Sequence, residues 1–509
     1  MIISLSVLVI TIIVSGTYAL YKAQLSKNIG VNTTTHGLAY YINYVKGTDI
    51  TAATLNPSTS YEGGASSDIE FWKKDDSYDI YGKIELTVNT IGTNLSNSPA
   101  LKYAVVNNGN VLKEGSLKGT TSGSKVTILK NLYLEQTKQI YTVYVWLDNS
   151  EELGNISNES LSISVDCTAS LQKEPTAADT IISLYTSAAK VTATNNSITY
   201  NTAPSVSLMN DRLGGTTTSL DGGNIRYYGA SPNNYIYFNC SDYSNQTSST
   251  CETWRIIGVF DGKLKLIKSE SIGAYSWDNK DTSTGAENDT GKNDWTTARL
   301  MKLLNPSDYY VVDSNDNELG QSLYWNSASG KCYSGFQNAI VDCDFTSTGI
   351  KNDTTRNMIA DVIWNLGGSD TNKVYLNQMY EYERGTTVYT GRPTIWTGKI
   401  ALAYLSDYGY AVDLNECKDK ALYDYDSIPC ESYNWIKAIL GTSGFEWLLA
   451  VTYNDATGVG FVRSSGVPYN NGPAAGEQKV VPVLYLSSEL GIESGAGDGS
   501  SSNPYKLSI

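Results

Sequence analysis

Seven cysteines and one histidine bound the chemistry open to this 509-residue chain. The cysteines stand at 167, 240, 251, 332, 343, 417 and 430. Six of them fall into local pairs: ten residues separate Cys240 from Cys251, ten separate Cys332 from Cys343, and twelve separate Cys417 from Cys430. No C-x-x-C occurs, which disfavours zinc ribbons and thioredoxin-like redox motifs. The spacing predicts three short disulfide-closed loops, each worth about 3 kcal/mol by loop entropy. Cys167 is left over. The lone imidazole, His36, lies in the polar run "NTTTHGLAY". Ser-His-Asp triads, Cys-His dyads and multi-histidine zinc sites all need better-placed imidazoles.

Other catalytic signatures fare no better. Ser187 and Lys190 form a formal S-x-x-K, but no K-T-G or S-D-N accompanies it. G-x-S-x-G, the P-loop and H-E-x-x-H are absent. Acidic residues abound in "WKKDDSYD", "DSNDNELG" and "DYDS", yet no spacing marks a glycosidase pair. No catalytic residue is assigned, and an enzyme acting on glycans is the weakest class considered. Two oxygen-rich runs, 278–289 and 313–320, could hold calcium, although neither fits the EF-hand pattern; no other cofactor is expected. Trp277, Trp295, Trp325 and Trp396 are the candidates for stacking on a ligand, with core packing as the plainer reading.

The elements that would position these groups come in blocks. A chain of this length predicts two or three domains. Net charge is −15, so a nucleic-acid partner is not expected. Tyrosine outnumbers phenylalanine 38 to 7, which suits solvated sheets and contact surfaces. The first 21 residues, "MIISLSVLVITIIVSGTYALY", carry no charged side chain. They read as a signal peptide cut after Thr17–Ala19 or as a retained membrane anchor. Either places the remainder outside the cytoplasm, where disulfides persist. Lys22 and Lys27 follow the run and no basic segment precedes it, which points to a start placed late or a truncated gene.

Residues 30–168 read as a β-sandwich, with "ALKYAVVNNGNVLKEGSL" as two strands about an Asn-Gly turn. Residues 169–205 read as a linker carrying a short helix from about Ala177 to Lys190. Residues 206–509 read as α+β. "WRIIGVFDGKLKLIKS" is a hairpin about Asp261 and Gly262. "DTTRNMIADVIWNLGG" is a helix capped by Asp353. "GFEWLLAVTY", "GVGFVRSSG" and "VVPVLYLSSEL" are strands, the last with Pro482 at an edge or at its own start.

The segments "SGTYALY", "SNSPALKYAVVNNGNVLKEGSL" and "YTVYVWLDNSEELGNISNESLSISVDCTA" make residues 1–168 resemble the camelysin and biofilm-matrix-fibre family of Gram-positive bacteria. That resemblance implies an exported jelly-roll sandwich, in some members polymerised by donation of an N-terminal strand. The segments "LMNDRLGG", "DGGNIRYYGASPNNYIYFNC", "GRPTIWTGKIALAYLSDYGYA" and "VVPVLYLSSELGI" make residues 206–509 resemble uncharacterised surface proteins of Gram-positive gut bacteria. Their order of elements is similar to the C-type-lectin-like fold shared with formylglycine-generating enzymes. The expectation is an exported cell-surface protein that binds a glycan or a protein. A fibre or matrix subunit that self-associates is the alternative, and the membrane is a partner if the N-terminal segment is uncut.

Overall fold

The computed structural model describes residues 41–509 except 52–54, 152, 154, 157–158, 214–221, 244, 280–289, 307–310, 313–317, 320–321, 441–444, 494 and 509. His36, the apolar run 1–21 and most of both oxygen-rich runs lie outside the described residues. The chain divides into two compact units between Glu174 and Pro175.

The first unit is built from β1 (Ile42–Val45), β2 (Ala65–Lys73), β3 (Tyr81–Ile91), β4 (Leu101–Asn107), β5 (Asn110–Ser116), β6 (Lys125–Tyr133), β7 (Ile140–Asp148) and β8 (Leu161–Ser170). One sheet runs β1-β2-β7-β4-β5, and the other runs Ile50–Thr51, β8, β3, β6. Alternate residues of each strand point inward, as the period-2 pattern requires. Ile69, Phe71, Val143 and Val145 from the first sheet join Ile84, Leu86, Ile163 and Val165 from the second in one buried cluster. Full burial of each such side chain is worth about 1.5–3 kcal/mol. The result is a β-sandwich. Its β4–β5 turn has positive φ at Asn108 (50°) and Gly109 (77°), the geometry that Asn-Gly supplies. Cys167 is a buried free thiol on β8, and burial pushes its pKa well up.

The second unit opens with α1 (Ala177–Ser187), β9 (Val191–Asn195), β10 (Ile198–Ala203), β11 (Leu208–Asn210), β12 (Ile225–Tyr227), β13 (Tyr235–Phe238), β14 (Glu252–Phe260), β15 (Lys263–Lys268) and β16 (Ala274–Ser276). It continues through β17 (Ser329–Ser334), β18 (Gln337–Asp344), α2 (Leu376–Arg384), β19 (Ile400–Ala401) and α3 (Leu405–Tyr410). It closes with β20 (Phe445–Val451), β21 (Gly458–Arg463), β22 (Pro468–Pro473), β23 (Glu477–Lys479) and β24 (Val483–Tyr485). The larger sheet runs β9-β10-β11-β12-β14-β15-β24-β19, with β13 also on β14. The smaller runs β16-β23-β20-β21-β22.

Two expectations are corrected, and a third is decided between its alternatives. Residues 169–205 are not a linker. Thr176 and Asp179 form a reciprocal cap that starts α1, and the helix buries Ile181 and Tyr185 in the core of the second unit. β9 and β10 then extend the larger sheet. The helix expected across 353–366 ends at Met358, and Val362–Asn365 is a strand paired with Ile395–Gly398. The helical spacing of its apolar residues lost to pairing of Trp364 with Trp396, and the cap is Asn352, whose side chain accepts the Thr355 N–H. Of the two places expected for Pro482, the start of its own strand holds: it immediately precedes β24, which lies between β15 and β19.

Candidate functional site

All three disulfides form locally: Cys240–Cys251, Cys332–Cys343 and Cys417–Cys430. The first closes the open end of the β13–β14 ladder, where Phe238 faces Glu252. The polar loop between these cysteines is thus clamped to two paired strands. Such bonds mark a chain that matures in an oxidising compartment. No helix among the described residues is long and apolar enough to cross a membrane.

The tryptophans do not form a ligand surface. Trp277, Trp295 and Trp325 are 0%, 1% and 7% exposed, and all belong to the core. Trp277 packs on Trp295 at 5.1 Å between ring centroids, and Trp295 on Trp396 at 6.0 Å. Large rings in a loop-rich unit are worth more as core than as contact surface. Trp396 alone of the four is half-buried. Among the described residues no group of three or more His, Cys, Asp or Glu could hold a metal ion.

The densest chemistry lies inside the second unit. Arg226 on β12 donates from Nε to Asp211 Oδ2 (2.6 Å) and from Nη1 to Asp407 Oδ1 (2.8 Å). Lys265 on β15 donates from Nζ to Asp407 Oδ2, which also accepts the Tyr404 N–H at 3.0 Å. Glu383 on α2 accepts Ser406 N–H (2.8 Å) and pairs with Arg384 at 3.1 Å. Three acids therefore balance three bases. Burial would raise Asp407, but Lys265 and Arg226 hold it down at about 2. Burial likewise works against Arg226, and Asp211 and Asp407 hold it above the ordinary guanidinium value. Burial draws Lys265 down to about 8 against the pull of Asp407. The Arg226, Lys265, Asp211 and Asp407 side chains are at most 1% exposed. No substrate reaches them, so the cluster pins β12, β15, α2 and α3 together rather than turning over a ligand. Lys265 alternates with Leu264 and Leu266 in the sequence. It is buried because both faces of β15 are covered.

A partly exposed aromatic arrangement lies on the smaller sheet. Phe445 on β20 pairs with Arg463 on β21, and Phe461 on β21 pairs with Tyr469 on β22. Alternation puts all four on one face. Phe461 and Tyr469 stack at 5.6 Å with 13° between planes, and Phe445 meets Phe461 at 5.3 Å. The Arg463 guanidinium lies 3.5 Å over the Tyr469 centroid. Its Nε is buried and makes no hydrogen bond among the described residues. Gly472 makes the strip fit: a Cβ there would stand 2.8 Å from the Phe461 ring. Phe445 is 40% exposed, Tyr469 and Arg463 are half-buried, and Phe461 is 8% exposed and backs them from the core. The exposed Phe445 ring and the half-buried Tyr469 ring can meet a planar or ring-shaped ligand by stacking. The two strands were legible in sequence, but the strip was not. Its signal was the i, i+2 pairing of Phe461 with Arg463, opposite Phe445.

Fold and site together define a β-rich, disulfide-bonded protein of two units, one a β-sandwich. No family model and no curated protein matches the chain. Among solved structures, one described as a mutant of HCR/D aligns at 13% identity over 50% of this chain and 76% of that chain, with a TM-score of 0.14. At that score the likeness defines neither fold nor function.

Proposed function

We propose that the protein is exported to the cell surface and works there by recognition, with the second unit binding a glycan on the Phe445–Phe461–Tyr469–Arg463 strip. The observation that carries this reading is the strip itself. It combines the exposed Phe445 ring and the half-buried Tyr469 and Arg463 side chains, backed by Phe461, on a three-stranded support. Sugar rings present apolar C–H faces to aromatic rings and hydroxyls to guanidinium donors. A pre-formed platform loses less entropy on binding. The three disulfides support export. A C-type-lectin-like fold for this unit, a jelly-roll lineage for the first, and tethering through residues 1–21 complete the reading.

A glycan array probed with the full chain tests it. Binding should be retained by the unmodified chain and weakened at least about tenfold, roughly 1.4 kcal/mol, by Arg463→Ala and by Phe445→Ala. Unchanged array binding in both variants would remove the strip from recognition.

The alternative is a fibre subunit. It draws on the end strands of one sandwich sheet, where Val45 on β1 and Val111 and Leu112 on β5 are exposed. Apolar edges are templates for strand addition. Concentration-dependent fibres seen by electron microscopy would favour it.

A further inference from the structure

Lys265 and Asp407 meet in a setting unlike that of most ion pairs in this chain. Both side chains are 0% exposed. Four rings surround the amine, with centroids 4.4 Å (Tyr404), 5.3 Å (Phe260), 5.4 Å (Trp364) and 5.4 Å (Tyr485) from Nζ. The amine is already hydrogen-bonded to the carboxyl oxygen Oδ2. Arg226 Nη1 donates to the other oxygen, Oδ1, at 2.8 Å. We propose that Lys265 and Asp407 condense to a side-chain amide, a covalent cross-link between β15 and α3.

The step balances within the pair. One proton passes from Lys265 Nζ to Asp407 Oδ2, giving a neutral amine and a carboxylic acid. Nζ attacks Cγ, and the negative charge that develops on Oδ1 is met by Arg226, as an oxyanion is met by a fixed donor. The Cγ–Oδ2 bond breaks. Oδ2 leaves as water with a second proton from nitrogen, and the new amide oxygen is Oδ1. Nothing is oxidised or reduced, and no co-reactant is needed.

Two features favour the forward direction. Fixed neighbours react with effective molarities of about 10⁵–10⁸ M. The aromatic walls exclude the water that would reverse the reaction. Burial also draws the Lys265 ammonium down to about 8, so loss of its first proton is easier than in water. Arg226 opposes by holding Asp407 ionised, so the reaction is slow and follows folding.

The internal comparison is Lys268 with Glu252. It is also an ion pair, but its side chains are 8% and 13% exposed, and no guanidinium holds its second oxygen in the described ion pairs.

Mass spectrometry of the full chain, folded and then denatured, decides the matter. The expected mass is lighter by one water than the sequence mass corrected for its three disulfides. Fragmentation should place the link between the peptides carrying Lys265 and Asp407. Lys265→Met and Asp407→Ala should restore the missing water. Asp407→Asn should form the same amide with loss of ammonia instead. The unmodified chain alone suffices if a variant fails to fold. A mass that shows only the disulfides overturns the proposal, as does a water loss mapped to any other pair, Lys268–Glu252 included.

Discussion

Replacing Arg226 by Met keeps most of the side-chain volume and removes the charge. Arg226 is 1% exposed, and its two charge-assisted hydrogen bonds, 2.6 Å to Asp211 and 2.8 Å to Asp407, have no substitute. Asp407 retains Lys265, as an ion pair or as the amide. Asp211 retains only neutral donors, the Leu213 and Asn224 N–H groups and the Asn224 side chain. One buried carboxylate thus loses its only cation among the described residues. Breaking a buried pair from one side costs about 3–5 kcal/mol. Urea unfolding followed by tryptophan fluorescence is the assay, because eight of the ten tryptophans lie in the second unit. The variant should unfold at clearly lower urea with the slope of the transition unchanged. A loss below about 1 kcal/mol would refute the view that this cluster pins the unit, since surface pairs contribute that little.

Four further outcomes follow from the same structure. Serine at both Cys240 and Cys251 should cost about 3 kcal/mol, read by the same urea titration. Gly472→Ala should drive a Cβ into Phe461 and weaken glycan binding while far-UV circular dichroism stays unchanged. Asp278, buried and raised to about 7, has a folded pKa above its unfolded value. Its contribution to stability is therefore full below about pH 4 and lost as pH rises through 7, so Asp278→Asn should flatten the stability of the chain between those values in thermal melts. A fragment beginning at 206 lacks α1, β9 and β10, and so lacks the buried Ile181, Tyr185 and Tyr200. It should be less protease-resistant than one beginning at 175.

Local rules made part of this legible. Asn108-Gly109 and Asp261-Gly262 turn where only positive φ closes a two-residue hairpin, and both hairpins form. Cysteine spacing, with the apolar run at the N-terminus, pointed to the three local bridges among the fifteen pairings six cysteines allow. Tertiary context hid the rest. Lys265 alternates with leucines as a surface lysine would, yet Asp407, distant in sequence, draws it inward. Val362 and Ile363 fit a helical stripe, but the β-branched pair lies in a ribbon with Ile363 63% exposed. The strip needs Phe445, Phe461, Arg463 and Tyr469 from three strands, so its register, unlike its members, could not be read from any one segment.

Hydrogen exchange on the full chain, with and without a glycan that it binds on the array, tests the central claim most directly. The account predicts added protection on Phe445–Val451, Gly458–Arg463 and Pro468–Pro473, abolished by Arg463→Ala. Protection confined to the first unit, or none on these three strands at saturating glycan, would contradict it.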